Sequence, residues 1–127
     1  MTERTSINIL DFRHLNPIPN ASRVGNLLMS GLIAGVDPGT RQLPEDLDRQ
    51  LTNLFSYVKD IVEAAGGTTK NIIKMNVWLK DHNDRELLNK HWIEMFPDEH
   101  ARPARHTQQL VGDSKALVHC DIVAVFT

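Results

Sequence analysis

The chain has 127 residues, of which 41% are hydrophobic and 24% are charged, and these values are those of one ordinary globular domain. Its 14 Lys and Arg residues against 16 Asp and Glu residues give a net charge of -2, so no overall positive field is available to hold a nucleic acid. The sequence shows no membrane span or signal peptide, and its single cysteine cannot form an internal disulfide. We therefore expect one domain over residues 1–127, in the cytoplasm, with neither a nucleic acid nor a membrane as a partner.

The first predicted elements are strands. Residues 23–36, RVGNLLMSGLIAGV, predict a short strand, a turn or bulge at Gly25 and Asn26, and a longer strand. Ser30 and Gly31 lie inside the longer strand, where a glycine weakens pairing and often marks the close approach of another backbone or a ligand. These two residues are therefore candidates for a pocket wall.

A long amphipathic helix is predicted next. Its apolar side chains recur at intervals of three and four residues and form one stripe: Leu47, Leu51, Leu54, Phe55, Val58, Ile61, Val62 and Ala65. Pro44 suits the first turn, with Glu45 and Asp46 beside the positive end of the helix dipole. Gly66 and Gly67 end the helix, because glycine accepts the left-handed conformation found there.

A strand and a second helix follow. Within residues 72–80, IIKMNVWLK, alternate apolar side chains form one strand face: Ile73, Met75, Val77 and Leu79. A second apolar stripe predicts the helix: Leu87, Leu88, His91, Trp92, Met95 and Phe96. Asn83 and Glu86, three residues apart, form a capping box at its start, and the helix closes before Pro97. The aromatic side chains of this stripe are expected in the core.

Two more strands complete the predicted fold. They are residues 104–111, ARHTQQLV, and residues 116–126, ALVHCDIVAVF, separated by the turn sequence GDSK. The whole order is strand, strand, strand, helix, strand, helix, strand, strand. The fold class is therefore α+β, with both helices packed on one face of a mixed sheet. Because the other sheet face would be left uncovered, we expect a homo-oligomer.

Five segments in this order resemble the Rid (reactive intermediate deaminase, YjgF-type) family. They lie at residues 23–40, 58–81, 88–97, 102–105 (RPAR) and 116–125 (ALVHCDIVAV). The resemblance implies a chorismate-mutase-like fold that assembles into a homotrimer with a site in each cleft between subunits. It also implies cofactor-independent hydrolysis of enamines and imines of 2-amino acids to 2-oxo acids and ammonia. The expected partner is a small-molecule carboxylate substrate.

The resemblance assigns a carboxylate-binding role to Arg105, the arginine of the PAR sequence. A planar guanidinium gives two parallel charge-assisted hydrogen bonds to a carboxylate, which lysine cannot copy. An exposed arginine paired with a protein carboxylate is the competing interpretation. By the resemblance, Ser30, Gly31 and Asn89 lie near the pocket. Thr107 lies two residues beyond Arg105 and shares its strand face, as does Gln109, which is the weaker candidate.

Two departures from the family pattern fall at the expected site. Ile18, in PIPNA, stands where typical members have the tyrosine of PYSQA and would wall the pocket. His119 stands where a water-handling glutamate is usual, and Asp121 replaces the neighbouring glutamate. A neutral imidazole accepts a proton from water at pH 7, so His119 is a candidate base. It is equally a candidate contact for a second carboxylate, as in a dicarboxylic substrate such as 2-aminomuconate, or a structural residue.

Several interpretations are set aside or kept as alternatives. Arg102 is expected to be a solvated charge, and His106 should point to the sheet face opposite Arg105. The histidines do not form metal-ligand spacings, and His119 and Cys120 alternate to opposite faces, so no metal site is expected. No cofactor is expected either. The alternative to the deaminase is a non-catalytic ligand-binding or regulatory trimer on the same scaffold, because the usual glutamate is absent.

Overall fold

A computed structural model describes residues 3–127. Its strands are β1 (Thr5–Ile7), β2 (Ala21–Val24), β3 (Leu27–Ser30), β4 (Ile33–Ala34), β5 (Ile72–Leu79), β6 (Ala104–Gln109) and β7 (Val118–Val125). Its helices are α1 (Leu47–Ala64) and α2 (Arg85–Met95). In the part of the chain that the structure describes, neither helix combines the length and the apolar character needed to cross a bilayer.

The strands form one mixed sheet in the order β1-β2-β3-β7-β5-β6, and β4 also pairs with β7. Every pairing is antiparallel except that of β5 with β6. Parallel neighbours need a crossover connection, which α2 provides between β5 and β6. The predicted α+β class with a mixed sheet and two helices is confirmed.

The core lies between the two helices and one face of the sheet. In β7 the residues that face the helices are fully or almost fully buried: Val118, Cys120, Ile122 and Ala124. They pack in one cluster with side chains of both helices, such as Leu54 and Leu88. The intervening residues of β7, such as His119 and Val123, are only partly buried and face the other side of the sheet. We call that other side the open face.

The C-terminal end of α1 is as predicted, but its start is not. The helix stops before Gly66, whose φ is 90°, and the N–H of Gly67 donates to the carbonyl of Val62 over 2.9 Å. At the other end the helix begins at Leu47, so the prediction that Pro44 lies in its first turn is wrong. The Pro44 carbonyl accepts a hydrogen bond from Gln50 Nε2 over 2.7 Å, which holds Pro44 in the loop ahead of the helix.

The capping box predicted at the start of α2 is also wrong. A single 3-10 turn, His82–Asp84, precedes the helix. The Asn83 N–H donates to the carboxylate of Asp81 over 2.9 Å, and this bond caps the turn. The helix proper begins only at Arg85. Asp81 therefore provides the side-chain cap that the sequence pattern assigned to Asn83.

Two strand predictions need correction. The predicted short strand and the turn at Gly25 and Asn26 are present, but the predicted longer strand is divided into β3 and β4. The short strand β1 lies in a segment that showed no strand pattern. In β5 a β-bulge between Ile72 and Lys74 reverses the local alternation. Ile72 is buried in the core, whereas Ile73, predicted to share the face of Met75, is 51% exposed.

Candidate active site

Arg105 lies at the start of β6, the edge strand of the sheet. Its register partner on β5 is Met75, which is fully buried against the helices, so the Arg105 side chain starts on the helix-facing side. His106 pairs with Asn76 and therefore points to the open face. Thr107 pairs with the buried Val77 and returns to the side of Arg105. The alternation expected along this strand is present.

The guanidinium of Arg105 lies against α2. Its Cζ atom is 5.0 Å from the centre of the Trp92 ring, within the range of a cation–π contact. Burial, and secondarily the positive charge of Arg85, lowers the pKa of Arg105 from its usual value. Among residues 3–127 no carboxylate lies within ion-pair distance of this guanidinium. Arg105 is thus a half-buried cation that contacts an aromatic ring and has no counter-ion among the residues that the structure describes.

Asn89 stands on the same side of α2 as the neighbours of Arg105. It follows Arg85 by four residues and precedes Trp92 by three, and residues at these spacings share one helix face. Asn89 is exposed and Thr107 is half-buried. The corner between α2 and β6 is thus defined by the contact of Arg105 with Trp92, and Thr107 and Asn89 lie on the strand side and the helix face that carry these two residues. Trp92 was predicted only as a core residue, because no local pattern shows which strand α2 will cover.

His119 lies on the other side of the sheet. Its register partners are Trp78 on β5 and Ala34 on β4, and its ring is on the open face. Burial lowers the pKa of His119 below its usual 6.5. The strands β7 and β6 flank β5, so they are roughly 10 Å apart. Within one chain, Arg105 and His119 are therefore separated both laterally and by the thickness of the sheet.

Both β3 and β4 pair with β7, and Ser30 and Gly31 lie where the chain passes from β3 towards β4. The Ser30 hydroxyl accepts from the N–H of Ile122 over 2.9 Å and lies 2.9 Å from the Gly31 carbonyl, to which it donates. It thus replaces a missing ladder bond. Gly31 is exposed, and a Cβ there would come no closer than 3.9 Å, to the Asn20 carbonyl. Nothing within the described chain requires a glycine at that position.

Ile18 lies on the loop between β1 and β2 and is 51% exposed. The buried Asn20 holds this loop, because its Nδ2 donates to the Phe12 carbonyl over 2.8 Å and its Oδ1 accepts from the Ile9 N–H over 2.9 Å. Ile18 lines a cavity of about 300 Å³ together with Arg13 and others. It is thus a pocket residue, but of a cavity that the sequence did not predict.

The predicted site residues accordingly fall into four groups on one chain. Arg105 and Thr107 share the helix-facing side of β6, and Asn89 lies on α2, the helix whose Trp92 contacts Arg105. His119 lies on the open face, Ile18 on the loop before β2, and Ser30 and Gly31 between β3 and β4. Arg102 is exposed, in agreement with the prediction that it is a solvated charge. Its Nε also donates to the Phe96 carbonyl over 2.8 Å and so caps the end of α2. No cluster of three or more His, Cys, Asp or Glu side chains suited to a metal ion occurs in residues 3–127.

Comparison with known proteins identifies the family. A sequence profile of the family described as endoribonuclease L-PSP matches residues 14–126. The chain belongs to this family. It is 33% identical over 92 residues to the 2-iminobutanoate/2-iminopropanoate deaminase of Escherichia coli strain K12, and the match covers 72% of each chain. The resemblance to the Rid family is confirmed.

Solved structures of this family share the fold along nearly the whole chain. RidA from an Antarctic Psychrobacter has a TM-score of 0.87 at 27% identity, and the match covers 96% of this chain and 99% of that one. TdcF from E. coli, solved with bound serine, has a TM-score of 0.87 at 25% identity, covering 97% of this chain and 99% of that one.

Proposed function

We propose that this protein hydrolyses the imine forms of 2-amino acids to 2-oxo acids and ammonia without a cofactor. The observation that carries the proposal is the Arg105 guanidinium, which is half-buried over the Trp92 ring and has no carboxylate partner among the described residues. A relative at 33% identity bears the name of a 2-iminobutanoate/2-iminopropanoate deaminase, which supports the same chemistry here.

Arg105 is the proposed anchor of the substrate carboxylate. A carboxylate that enters the site stabilises a partly desolvated cation that has no other counter-ion. The two parallel N–H groups of the guanidinium then fix that carboxylate in one orientation. Thr107 and Asn89 offer a hydroxyl and an amide at the same corner. The serine bound in the related TdcF is itself a small amino acid with a carboxylate, which fits this class of ligand.

The proposed reaction needs only a water molecule and a proton acceptor. His119 removes a proton from water as the oxygen adds to the C=N carbon, and the imidazolium then returns the proton to nitrogen. The C–N bond breaks as the C=O bond forms, and the hydroxyl proton passes to the departing ammonia, so an iminium acid and water give a 2-oxo acid and ammonium. The lowered pKa of His119 keeps its imidazole neutral at pH 7, as a base requires.

We further propose that the site is completed by oligomerisation. One chain holds Arg105 and His119 on opposite sides of its sheet, so a small substrate contacts both only where another chain covers the open face. That face exposes apolar side chains, among them Leu27 (45%), Met29 (56%) and Ile73 (51%). Following the family resemblance, we propose a homotrimer with the chorismate-mutase-like arrangement, acting in the cytoplasm.

The oligomer is tested by placing a charge on the open face. Met29→Lys should convert the assembly to monomers in sedimentation and remove deaminase activity, while the far-ultraviolet dichroism of the helices persists. Ile93→Lys, on the exposed side of α2, is the control, since Ile93 is 51% exposed and Met29 is 56% exposed. A wild-type monomer, or an active Met29→Lys monomer, would refute the proposed assembly.

The activity is tested with imines made in situ. 2-Iminopropanoate is generated by an amino-acid oxidase, and the disappearance of trappable imine and the release of pyruvate are followed with wild type and Arg105→Lys. Loss of one charge-assisted hydrogen bond, about 1.5–3 kcal/mol, predicts that Arg105→Lys lowers kcat/KM by roughly 10- to 150-fold. Arg4→Lys, exposed ahead of β1, is the matched control.

The same assay separates the deaminase from its alternative. If the wild type binds pyruvate but does not accelerate imine loss, the protein is a ligand-binding or regulatory trimer on the same scaffold. A substrate such as 2-aminomuconate belongs to the proposal only if dicarboxylic imines are preferred. Because the family description refers to an endoribonuclease, RNA cleavage is measured in parallel, and the net charge of -2 predicts none.

A further inference from the structure

Arg85, the first residue of α2, carries a second guanidinium on the helix face that meets Arg105. It precedes Asn89 by four residues and Trp92 by seven, and side chains at these spacings lie on one face of a helix. Arg105 covers that face, because its Cζ atom lies 5.0 Å from the centre of the Trp92 ring. Arg85 therefore stands on the side of α2 that lines the α2–β6 corner.

The direction of the helix brings the two guanidinium groups towards each other. Seven residues of helix separate the Cα atoms of Arg85 and Trp92 by roughly 10 Å. Cα–Cβ bonds tilt towards the start of a helix, so the Trp92 ring lies over the turn that precedes it, on the side of Arg85. The guanidinium of Arg105, which contacts this ring, is therefore nearer to Arg85 than the helical separation alone suggests.

The positive charge of Arg85 acts on Arg105. After burial, it is the second cause that lowers the pKa of Arg105 from its usual value. In ordinary salt, charges influence each other appreciably only within about 10 Å, so the pKa agrees with the position of the two residues. Two cations this close repel each other, and that repulsion is unfavourable unless an anion lies with them.

The described chain supplies no such anion. Within residues 3–127 neither Arg85 nor Arg105 lies within ion-pair distance of a carboxylate. Asp84 and Glu86 flank Arg85 in the sequence, but residues one apart do not face each other on a helix, and neither forms an ion pair with it. The two guanidinium groups are therefore available to an external anion.

Lys90 shows the contrasting arrangement on the same helix. The hydrogen bond from His91 lowers the pKa of Asp48 on α1, and the charge of Lys90 adds to that effect. Lys90 thus acts on an acidic group of α1, whereas Arg85 acts on another cation. Both side chains are exposed and both lie on α2, so Lys90 is a matched control for the charge of Arg85.

We infer that Arg85 and Arg105 bind the same substrate carboxylate, so that Arg85 is a second carboxylate-binding residue of the proposed site. The inference rests on the proposed deaminase function, because the carboxylate is the one that Arg105 anchors there. A carboxylate accepts more hydrogen bonds than one guanidinium donates, so it has capacity for both. Its negative charge also replaces the repulsion between the two cations by two attractions.

The kinetic test compares wild type with Arg85→Gln, Arg85→Lys and Lys90→Gln on 2-iminopropanoate. Arg85→Gln should raise KM about fivefold or more with little change in kcat, because it removes a contact to the carboxylate and leaves the proton acceptor in place. Arg85→Lys keeps the charge and should recover part of the affinity. Lys90→Gln removes the same charge from the same helix and should leave KM unchanged.

Pyruvate binding gives a second readout that needs no turnover. The dissociation constant of pyruvate should rise about fivefold or more in Arg85→Gln, whereas pyruvamide, which lacks the charge, should bind wild type and variant alike. Added salt should weaken pyruvate binding to wild type more steeply than binding to Arg85→Gln. Without ligand, the Tm of Arg85→Gln should be no lower than that of wild type, because the substitution removes a repulsion.

The outcomes separate this inference from the deaminase. Imine turnover with an unchanged KM and an unchanged pyruvate dissociation constant in Arg85→Gln would overturn the inference and leave the deaminase intact. A lowered Tm with equal loss of pyruvate and pyruvamide binding would also overturn it, since Arg85 would then be structural. The expected change in pyruvate binding without imine turnover by wild type would support the shared carboxylate site and refute the deaminase. No pyruvate binding by wild type would refute both.

Discussion

Gln50 is a buried polar residue whose replacement tests how the start of β7 is held. It lies on α1 and is fully buried. Its Nε2 donates to the carbonyls of Pro44 (2.7 Å) and Lys115 (3.2 Å), and its Oε1 accepts from the N–H of Leu117 (2.8 Å). Gln50→Leu approximately keeps the volume but removes all three bonds, of which those to Lys115 and Leu117 hold the segment just before the strand that carries His119.

The expected loss of stability follows from what happens to the three partners. The Leu117 N–H is left unpaired in a partly buried position, at a cost of about 1–3 kcal/mol. Lys115 is exposed and Pro44 is half-buried, so water partly replaces the bonds to their two carbonyls, and each loss costs up to about 1 kcal/mol. The total of roughly 1–5 kcal/mol corresponds to a Tm lowered by about 4–20 °C for a domain of this size.

The assay is urea unfolding followed by circular dichroism, with all variants at one protein concentration because assembly adds to apparent stability. Gln42→Leu is the matched control, since Gln42 is exposed, and it should change the free energy of unfolding by less than about 0.5 kcal/mol. A loss below about 1 kcal/mol for Gln50→Leu would contradict the view that this amide holds the segment before β7.

Three further predictions concern single positions. Gly35→Ala should lower the free energy of unfolding by about 1–3 kcal/mol or more in the same assay, because its Cβ would overlap the backbone carbonyl of Gln50; a soluble, equally stable variant would be the opposing result. Under the proposed mechanism kcat/KM falls as the pH decreases through an inflection below 6.5, since burial lowers the pKa of His119 and only the neutral ring accepts a proton. His119→Gln should remove that limb, and an inflection that persists would exclude His119 as the base. The Cys120 thiol, fully buried and with a pKa raised by burial, should resist alkylation in the native protein and react in urea; rapid native labelling would contradict its burial.

Much of the fold followed from side-chain periodicity. The α1 stripe and the alternation in β7 are long enough for a single pattern to dominate, and both proved correct. The errors arose where one local interaction displaced another. Asp81 capped the turn before α2 in place of Asn83, and the bulge after Ile72 turned Ile73 outward. Such outcomes depend on tertiary geometry that neighbouring residues do not encode.

The candidate site was predictable only in part. The face shared by Arg105 and Thr107 follows from strand alternation alone, and the register with β5 agrees with it. The contact of Arg105 with Trp92 depends on how α2 crosses the sheet, so the sequence could not show it. The separation of Arg105 from His119 is likewise a matter of strand order, because β5 lies between their strands. Residue identity indicated the chemistry, whereas topology decides which groups meet.

The strand order also sets a constraint on synthesis. The sheet is joined in its middle by β7, which lies between β3 and β5 although it is the last strand along the chain. A nascent chain on the ribosome can form the β1–β3 meander and the β5–α2–β6 unit. Until β7 has been synthesised, no strand pairs with both units to join them into one sheet. Each half then presents an unpaired inner border until the final strand emerges, which is the interval in which chaperones would be needed most.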